Sequence, residues 1–135
     1  MINPKIKICG ISDIKILKQL IKLNLDYVGF IFYSKSPRFV DEVFLEKIQD
    51  IDFKDTRPVC VYVNADEDFI YKTSSFFNNP ILQFHGDEDQ NFCETFGLDY
   101  WKAIRIKNAS DIKMISQYSS ASAILLENHK SQRQP

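Results

Sequence analysis

Six short runs rich in β-branched and aromatic residues alternate with amphipathic stretches along the chain, and this alternation limits the fold more than any single residue. The runs cover residues 6–9, 27–32, 59–63, 81–85, 100–106 and 123–126. Between them, acidic or hydroxyl residues precede apolar residues that return to one helical face. Ser12 or Asp13 stands before Ile14, Leu17, Leu20 and Ile21, and Asp41 before Phe44, Leu45 and Ile48. Asp66, Glu67 and Asp68 precede Phe69, Ile70, Thr73 and Phe76, where the positive end of a helix dipole favours them. Asp87 and Glu88 open a segment with Phe92 and Phe96, and Ser110 or Asp111 one with Ile112, Ile115 and Tyr118. Strand–helix units of about 20–30 residues give parallel strands with helices outside. Two α/β architectures share that pattern, an open doubly wound sheet and a TIM-type (βα) barrel. With only 4 glycines and neither Gly-x-Gly-x-x-Gly nor a Walker loop, a nucleotide-binding doubly wound domain loses ground.

A chain of 135 residues suits one domain with a real core. Lys and Arg number 17 against 18 Asp and Glu, so there is no basic excess of the kind nucleic acid attracts. No apolar run approaches the roughly 18 residues of a membrane span. The opening MINPKIKICG lacks a signal-peptide core, so a cytoplasmic location is expected. Three widely spaced cysteines, Cys9, Cys60 and Cys93, suit neither a disulfide framework nor a zinc site, and no metal is expected. Residues 1–128 read as one domain, and the unpatterned residues 129–135, with His129, as a disordered tail.

Side chains alternate faces along a strand, which sorts the polar residues. Ile6 and Ile8 share a face that would meet helices, while Lys7 and Cys9 share the other. Leu82 and Phe84 oppose Gln83 and His85, and Leu125 and Glu127 oppose Leu126. If those opposite faces line a barrel, Cys9, Gln83, His85 and Glu127 converge at strand C-terminal ends, where barrel enzymes keep their chemistry. Taken alone, Cys9 equally fits a small buried apolar residue, as Cys60 and Cys93 do. Asn64 reads as a strand-end turn residue.

Several motifs occur in a fixed order: Lys7-Ile8-Cys9-Gly10-Ile11, Gly29-Phe30-Ile31-Phe32-Tyr33 with Ser36-Pro37-Arg38-Phe39-Val40, Val61-Tyr62-Val63-Asn64, Leu82-Gln83-Phe84-His85-Gly86-Asp87-Glu88, Lys102-Ala103-Ile104 and Ala123-Ile124-Leu125-Leu126. In these, the chain resembles phosphoribosylanthranilate isomerase from Lys5 to about Glu127. The resemblance implies a TIM barrel enzyme of tryptophan biosynthesis acting on a small phosphosugar without a cofactor. It implies an Amadori rearrangement of N-(5'-phosphoribosyl)anthranilate to 1-(2-carboxyphenylamino)-1-deoxyribulose 5-phosphate. On the same footing, Cys9 is the general base and Glu127 occupies the general-acid position, where the family has aspartate. Arg38 would bind near the anthranilate carboxylate, and Gln83 and His85 would orient the substrate. A thiol is a weak base at neutral pH without a cation beside it, and Lys7 shares the Cys9 face.

A closed barrel of this type has eight strands, and about six are legible. The family's Gly-Gly and Ser-Ser-Gly phosphate loops have no counterpart in these residues. The sequence therefore leads us to expect an incomplete barrel with free edges on the first and sixth strands. Marginal stability, and self-association or a complementing fragment at the open edge, follow from that expectation. A non-catalytic remnant of the family is the competing expectation.

Overall fold

In a computed structural model, which describes residues 3–128, the strands are β1 (Lys7–Cys9), β2 (Tyr27–Ile31), β3 (Arg57–Tyr62), β4 (Ile81–Phe84), β5 (Tyr100–Ile106) and β6 (Ala123–Asn128). They form one parallel sheet in the order β1-β2-β3-β4-β5-β6. The connections carry helices α1 (Ile14–Lys22), α2 (Glu42–Ile48), α3 (Glu67–Ser74), α4 (Gln90–Glu94) and a 3-10 helix, Ala109–Tyr118. A doubly wound sheet reverses its strand order at a switch point, and this one never does.

Contacts between distant strands show that the sheet is curled. β2 and β5 would stand roughly 14 Å apart in a flat sheet, at about 4.8 Å per strand. Their inward residues Tyr27 and Trp101 instead meet edge to face, with ring centroids 4.9 Å apart. The structure is a curled part-barrel of the TIM type. Val59, Val61, Ile81 and Trp101 form its small inner core, and a larger core lies between the sheet and the helices. Phe84 centres part of the outer layer, with Tyr62, Phe92, Phe96 and Tyr100 around it.

Asp13, Asp41, Asp66 and Asp89 each cap a helix by accepting backbone N–H groups of its first turn. Three of these match the expected caps, and the fourth is a correction. Asp89, not Asp87 or Glu88, opens α4, because Glu88 turns inward. A second correction concerns residues 109–118, which wind as a 3-10 helix capped by Asn108 in a reciprocal bond with Asp111. The three-residue spacing of Ile112, Ile115 and Tyr118 suits that geometry. Burial increases along this face from Ile112, 53% exposed, to Tyr118, 7%, so only its C-terminal end rests on the core. Ile6 and Ile8, expected beneath helices, are 51% and 39% exposed, since β1 ends the sheet and its outer face is covered from one side only.

Glu88 turns inward to meet Lys102, whose side chain leaves the outer face of β5. Their charged atoms lie 3.1 Å apart, with side chains 3% and 2% exposed. Lys102 Nζ also donates to the Gly86 carbonyl at 2.5 Å and lies over the Tyr118 ring. The Glu88 carboxylate accepts from Gly86 N–H and Asn64 N–H, so one buried pair stitches the loops after β3 and β4. Gly86 is confined by the same stitch, as a Cβ there would lie 2.5 Å from Asn64 Oδ1. Among the described residues no helix is long and apolar enough to cross a membrane.

Removing one partner of a buried pair leaves the other charge without compensation. Lys102→Met and Glu88→Leu should each destabilise the chain by about 3–5 kcal/mol. The double variant should lose less than the sum of the two, a non-additivity that urea unfolding of all four proteins will reveal.

Candidate active site

Cys9 ends β1 with its side chain on the inner face, half-buried beside Tyr27 and Ile31. Its place depends on Gly29 in the neighbouring strand, directly across the ladder. A Cβ at Gly29 would lie 2.8 Å from Cys9 Sγ and 3.2 Å from the Lys7 stem, so glycine provides the notch that both occupy. The Lys7 ammonium lies beside the Cys9 thiol and 5.6 Å from the centre of the Trp101 ring. Burial lowers the pKa of the Lys7 amine, and the neighbouring sulfur opposes that shift.

From Lys7 a chain of hydrogen bonds crosses the interior. Lys7 Nζ donates to Gln83 Oε1 at 2.5 Å, and Gln83 Nε2 meets His85 Nδ1 at 3.2 Å. His85 Nε2 meets Glu127 Oε1 at 2.6 Å. Among the described residues no hydrogen-bond partner reaches the other carboxyl oxygen, Oε2, which is buried, and Arg105 Nε lies 3.8 Å from it. Arg105 and Glu127 are register partners on β5 and β6. Four residues read from the sequence as converging are thus brought together, three by direct bonds and Cys9 through Lys7.

Arg38 reaches the same rim by a different route. The bridge between Ile31 and Phe39, with Val40 N–H bonded to the Ile31 carbonyl, folds the loop back along β2. The Arg38 guanidinium then lies across the peptide after Cys9, with Nη1 3.4 Å from the Cys9 carbonyl oxygen. Gly10, at φ +84°, allows this, because a Cβ there would collide with the Arg38 side chain. Asn64 adopts a left-handed turn conformation, φ +51°, and holds Asp87 N–H with its Oδ1 at 2.7 Å.

The residues that sequence reasoning missed are Glu88, Lys102 and Arg105. The signal for the buried pair was present in Lys102, a lysine inside the otherwise apolar run Tyr100-Trp101-Lys102-Ala103-Ile104. A cation there demands an acid within reach. His129 lies outside the described residues.

The family model for N-(5'-phosphoribosyl)anthranilate (PRA) isomerase matches residues 6–133. The chain belongs to that family. The isomerase of that name from a Marinomonas species is 34% identical over 129 residues, which cover 95% of this chain and 63% of the relative. The one from Thermoanaerobacter pseudethanolicus is 38% identical over 116 residues, 84% of this chain and 56% of the relative. The chain therefore spans less than two thirds of the length of these curated relatives. Among solved structures, a monomeric form of the dimeric isomerase from Thermotoga maritima aligns with a TM-score of 0.78 at 29% identity, over 96% of this chain and 67% of that one. An isomerase solved with reduced 1-(o-carboxyphenylamino)-1-deoxyribulose 5-phosphate aligns with a TM-score of 0.79 at 27% identity, over 93% and 66%. These neighbours agree with the curled parallel sheet and its helical outer layer.

Against this family frame the three thiols differ. Cys60 and Cys93 are fully buried, and burial raises both; Cys93 is pushed up to about 12. A raised pKa leaves almost no thiolate at neutral pH, and alkylation needs the thiolate. Cys9 is half-buried. Native protein treated with iodoacetamide at neutral pH should take up one label per chain, located at Cys9 by peptide mapping, and three after denaturation.

Proposed function

We propose that this chain carries the isomerase chemistry of its family, the cofactor-free rearrangement of N-(5'-phosphoribosyl)anthranilate in tryptophan biosynthesis, in the cytoplasm. The observation that supports it most is the placement of a thiol and a carboxyl on one inner face, at the C-terminal ends of β1 and β6. Lys7 stands at the thiol and His85 at the carboxyl.

In this reading Glu127 in its acid form gives a proton to the furanose ring oxygen. The C1'–O bond breaks, and the anilino nitrogen lone pair forms a C1'=N bond. The Cys9 thiolate then removes the proton from C2', and that bond's electrons form C1'=C2' while the C=N electrons return to nitrogen. The enolamine becomes the ketone by losing the proton on O2' and gaining one at C1'. Lys7 stands beside the sulfur through this step. Arg38, beside the Cys9 peptide, takes the anthranilate carboxylate, a match of guanidinium to carboxylate geometry. Gln83 has a second amide proton to offer the substrate, and the His85 ring bounds the pocket.

Purified protein given N-(5'-phosphoribosyl)anthranilate made in situ should quench substrate fluorescence faster than spontaneous decay. Cys9→Ala and Glu127→Gln should each reduce kcat by about a hundredfold or more while the circular dichroism spectrum stays unchanged. Arg38→Met should act mainly on KM, since it removes a contact made equally in ground and transition states. A folded wild-type chain that leaves the decay rate unchanged would refute the proposal.

A further inference from the structure

We infer that Lys7 and Gln83 are positioning residues which fix the protonation pattern of His85, and through it commit Oε1 of Glu127 as the acceptor of the ring's N–H. The consequence for turnover rests on the isomerase reading; the pattern at His85 does not. One member of the hydrogen-bond chain has no choice of role. An ammonium group can only donate. Lys7 Nζ, 2.5 Å from Gln83, must therefore face the amide oxygen, since the amide nitrogen would set donor against donor. This fixes the Gln83 amide, whose two ends are otherwise interchangeable in shape.

With Oε1 on Lys7, Gln83 presents Nε2–H to His85 Nδ1 at 3.2 Å. Nδ1 must accept, so it carries no proton. A doubly protonated imidazolium is excluded for the same reason, because its Nδ1–H would point at an NH2 group. His85 is then the neutral Nε2–H tautomer and donates to Glu127 Oε1 at 2.6 Å. The close approach of His85 to Glu127 is thus a directed hydrogen bond from a neutral ring, not an ion pair. Oε1 is committed as an acceptor. Among the described residues no hydrogen-bond donor reaches Oε2, and the Arg105 guanidinium, with Nε 3.8 Å away, stands beyond hydrogen-bond range. The same lysine that attends the Cys9 thiol thereby orders the distant acid, coupling both ends of the site through four side chains.

The test reads His85 directly, with no substrate present. In a His129→Gln background, nitrogen-15 labelling of histidine leaves a single ring, whose long-range proton–nitrogen spectrum distinguishes the tautomers. At neutral pH the expected spectrum has an unprotonated Nδ1 and a protonated Nε2. A protonated Nδ1, alone or with Nε2, overturns the inference. Gln83→Glu replaces the donor facing Nδ1 by an acceptor and should move the proton to Nδ1; an unchanged ring overturns the role of Gln83. Lys7→Met frees the amide and should give a mixture of tautomers, while Lys7→Arg, still a pure donor, should restore the single form. A single unchanged tautomer in Lys7→Met overturns the role of Lys7. In turnover, Gln83→Glu should lower kcat about a hundredfold, the scale of an Ångström-level misplacement. A wild-type chain with the expected ring but no turnover would refute the isomerase reading and leave the tautomer assignment standing.

Discussion

Lys102 holds a positive charge beneath the β4–α4 loop, at a depth where an unpaired ammonium is not tolerated. Its partners follow from that constraint. The Glu88 carboxylate supplies the countercharge, and the Gly86 carbonyl and the face of Tyr118 complete its surroundings. The Tyr118 hydroxyl donates in turn to the Glu88 carbonyl at 2.6 Å, tying the 3-10 helix to the same point. Because Glu88 also gathers the backbone of Asn64 and Gly86, the loops above β3 and β4 have fixed positions. His85 immediately precedes Gly86, so the ring that holds Glu127 emerges from a backbone anchored by a charge pair on the opposite face of the sheet. Such a pair contributes little net stability against a well-packed apolar alternative. Here its effect is on where a loop stands.

The same strands therefore serve two polar systems that never mix. Along β4, Leu82 and Phe84 enter the outer aromatic layer while Gln83 enters the inner face, followed by His85. Along β5, Tyr100 and Ile104 join the outer core and Lys102 between them meets Glu88, while Trp101 joins the inner core. A register slip of one residue would exchange the faces, putting Lys102 among the inner residues and Gln83 among the phenylalanines. Both errors bury unpaired polar groups, so the two systems reinforce one register. The parallel sheet, covered on one face by helices and curled on the other around its own side chains, gains specificity from the polar residues that oppose burial most.

Much of this was legible because it depends on local rules. Period-two alternation placed Cys9, Gln83, His85 and Glu127 on one face, and three caps were visible as aspartates before apolar runs. What escaped depends on pairs distant in sequence or on turns that local patterns do not resolve. Glu88 looks like the acidic opening of a helix until Lys102, 14 positions later, is placed opposite it. Residues 109–118 carry a three-residue apolar spacing that serves either helix type, and the Asn108–Asp111 cap tightens it to 3-10. The exposure of Ile6 and Ile8 reflects where β1 stands in the sheet, which no strand pattern encodes.

At position 127, where the sequence resemblance implies an aspartate, the geometry gives the glutamate a physical reason. β4 and β6 are separated by β5, two strand spacings of about 4.8 Å in a flat sheet. The curl shortens this distance on the inner face, but His85 and Glu127 must still bridge the width of β5 with side chains alone. Their atoms meet at 2.6 Å. Removing one methylene withdraws the carboxyl by about 1.5 Å, the length of a carbon–carbon bond, which takes that contact out of hydrogen-bond range unless the backbone follows. The longer side chain also brings Oε2 toward Arg105 on the adjacent strand without reaching it. An aspartate on this backbone would leave the imidazole without that contact. The extra methylene is thus matched to the chain of bonds that starts at Lys7, and the carboxyl's reach and orientation are set together.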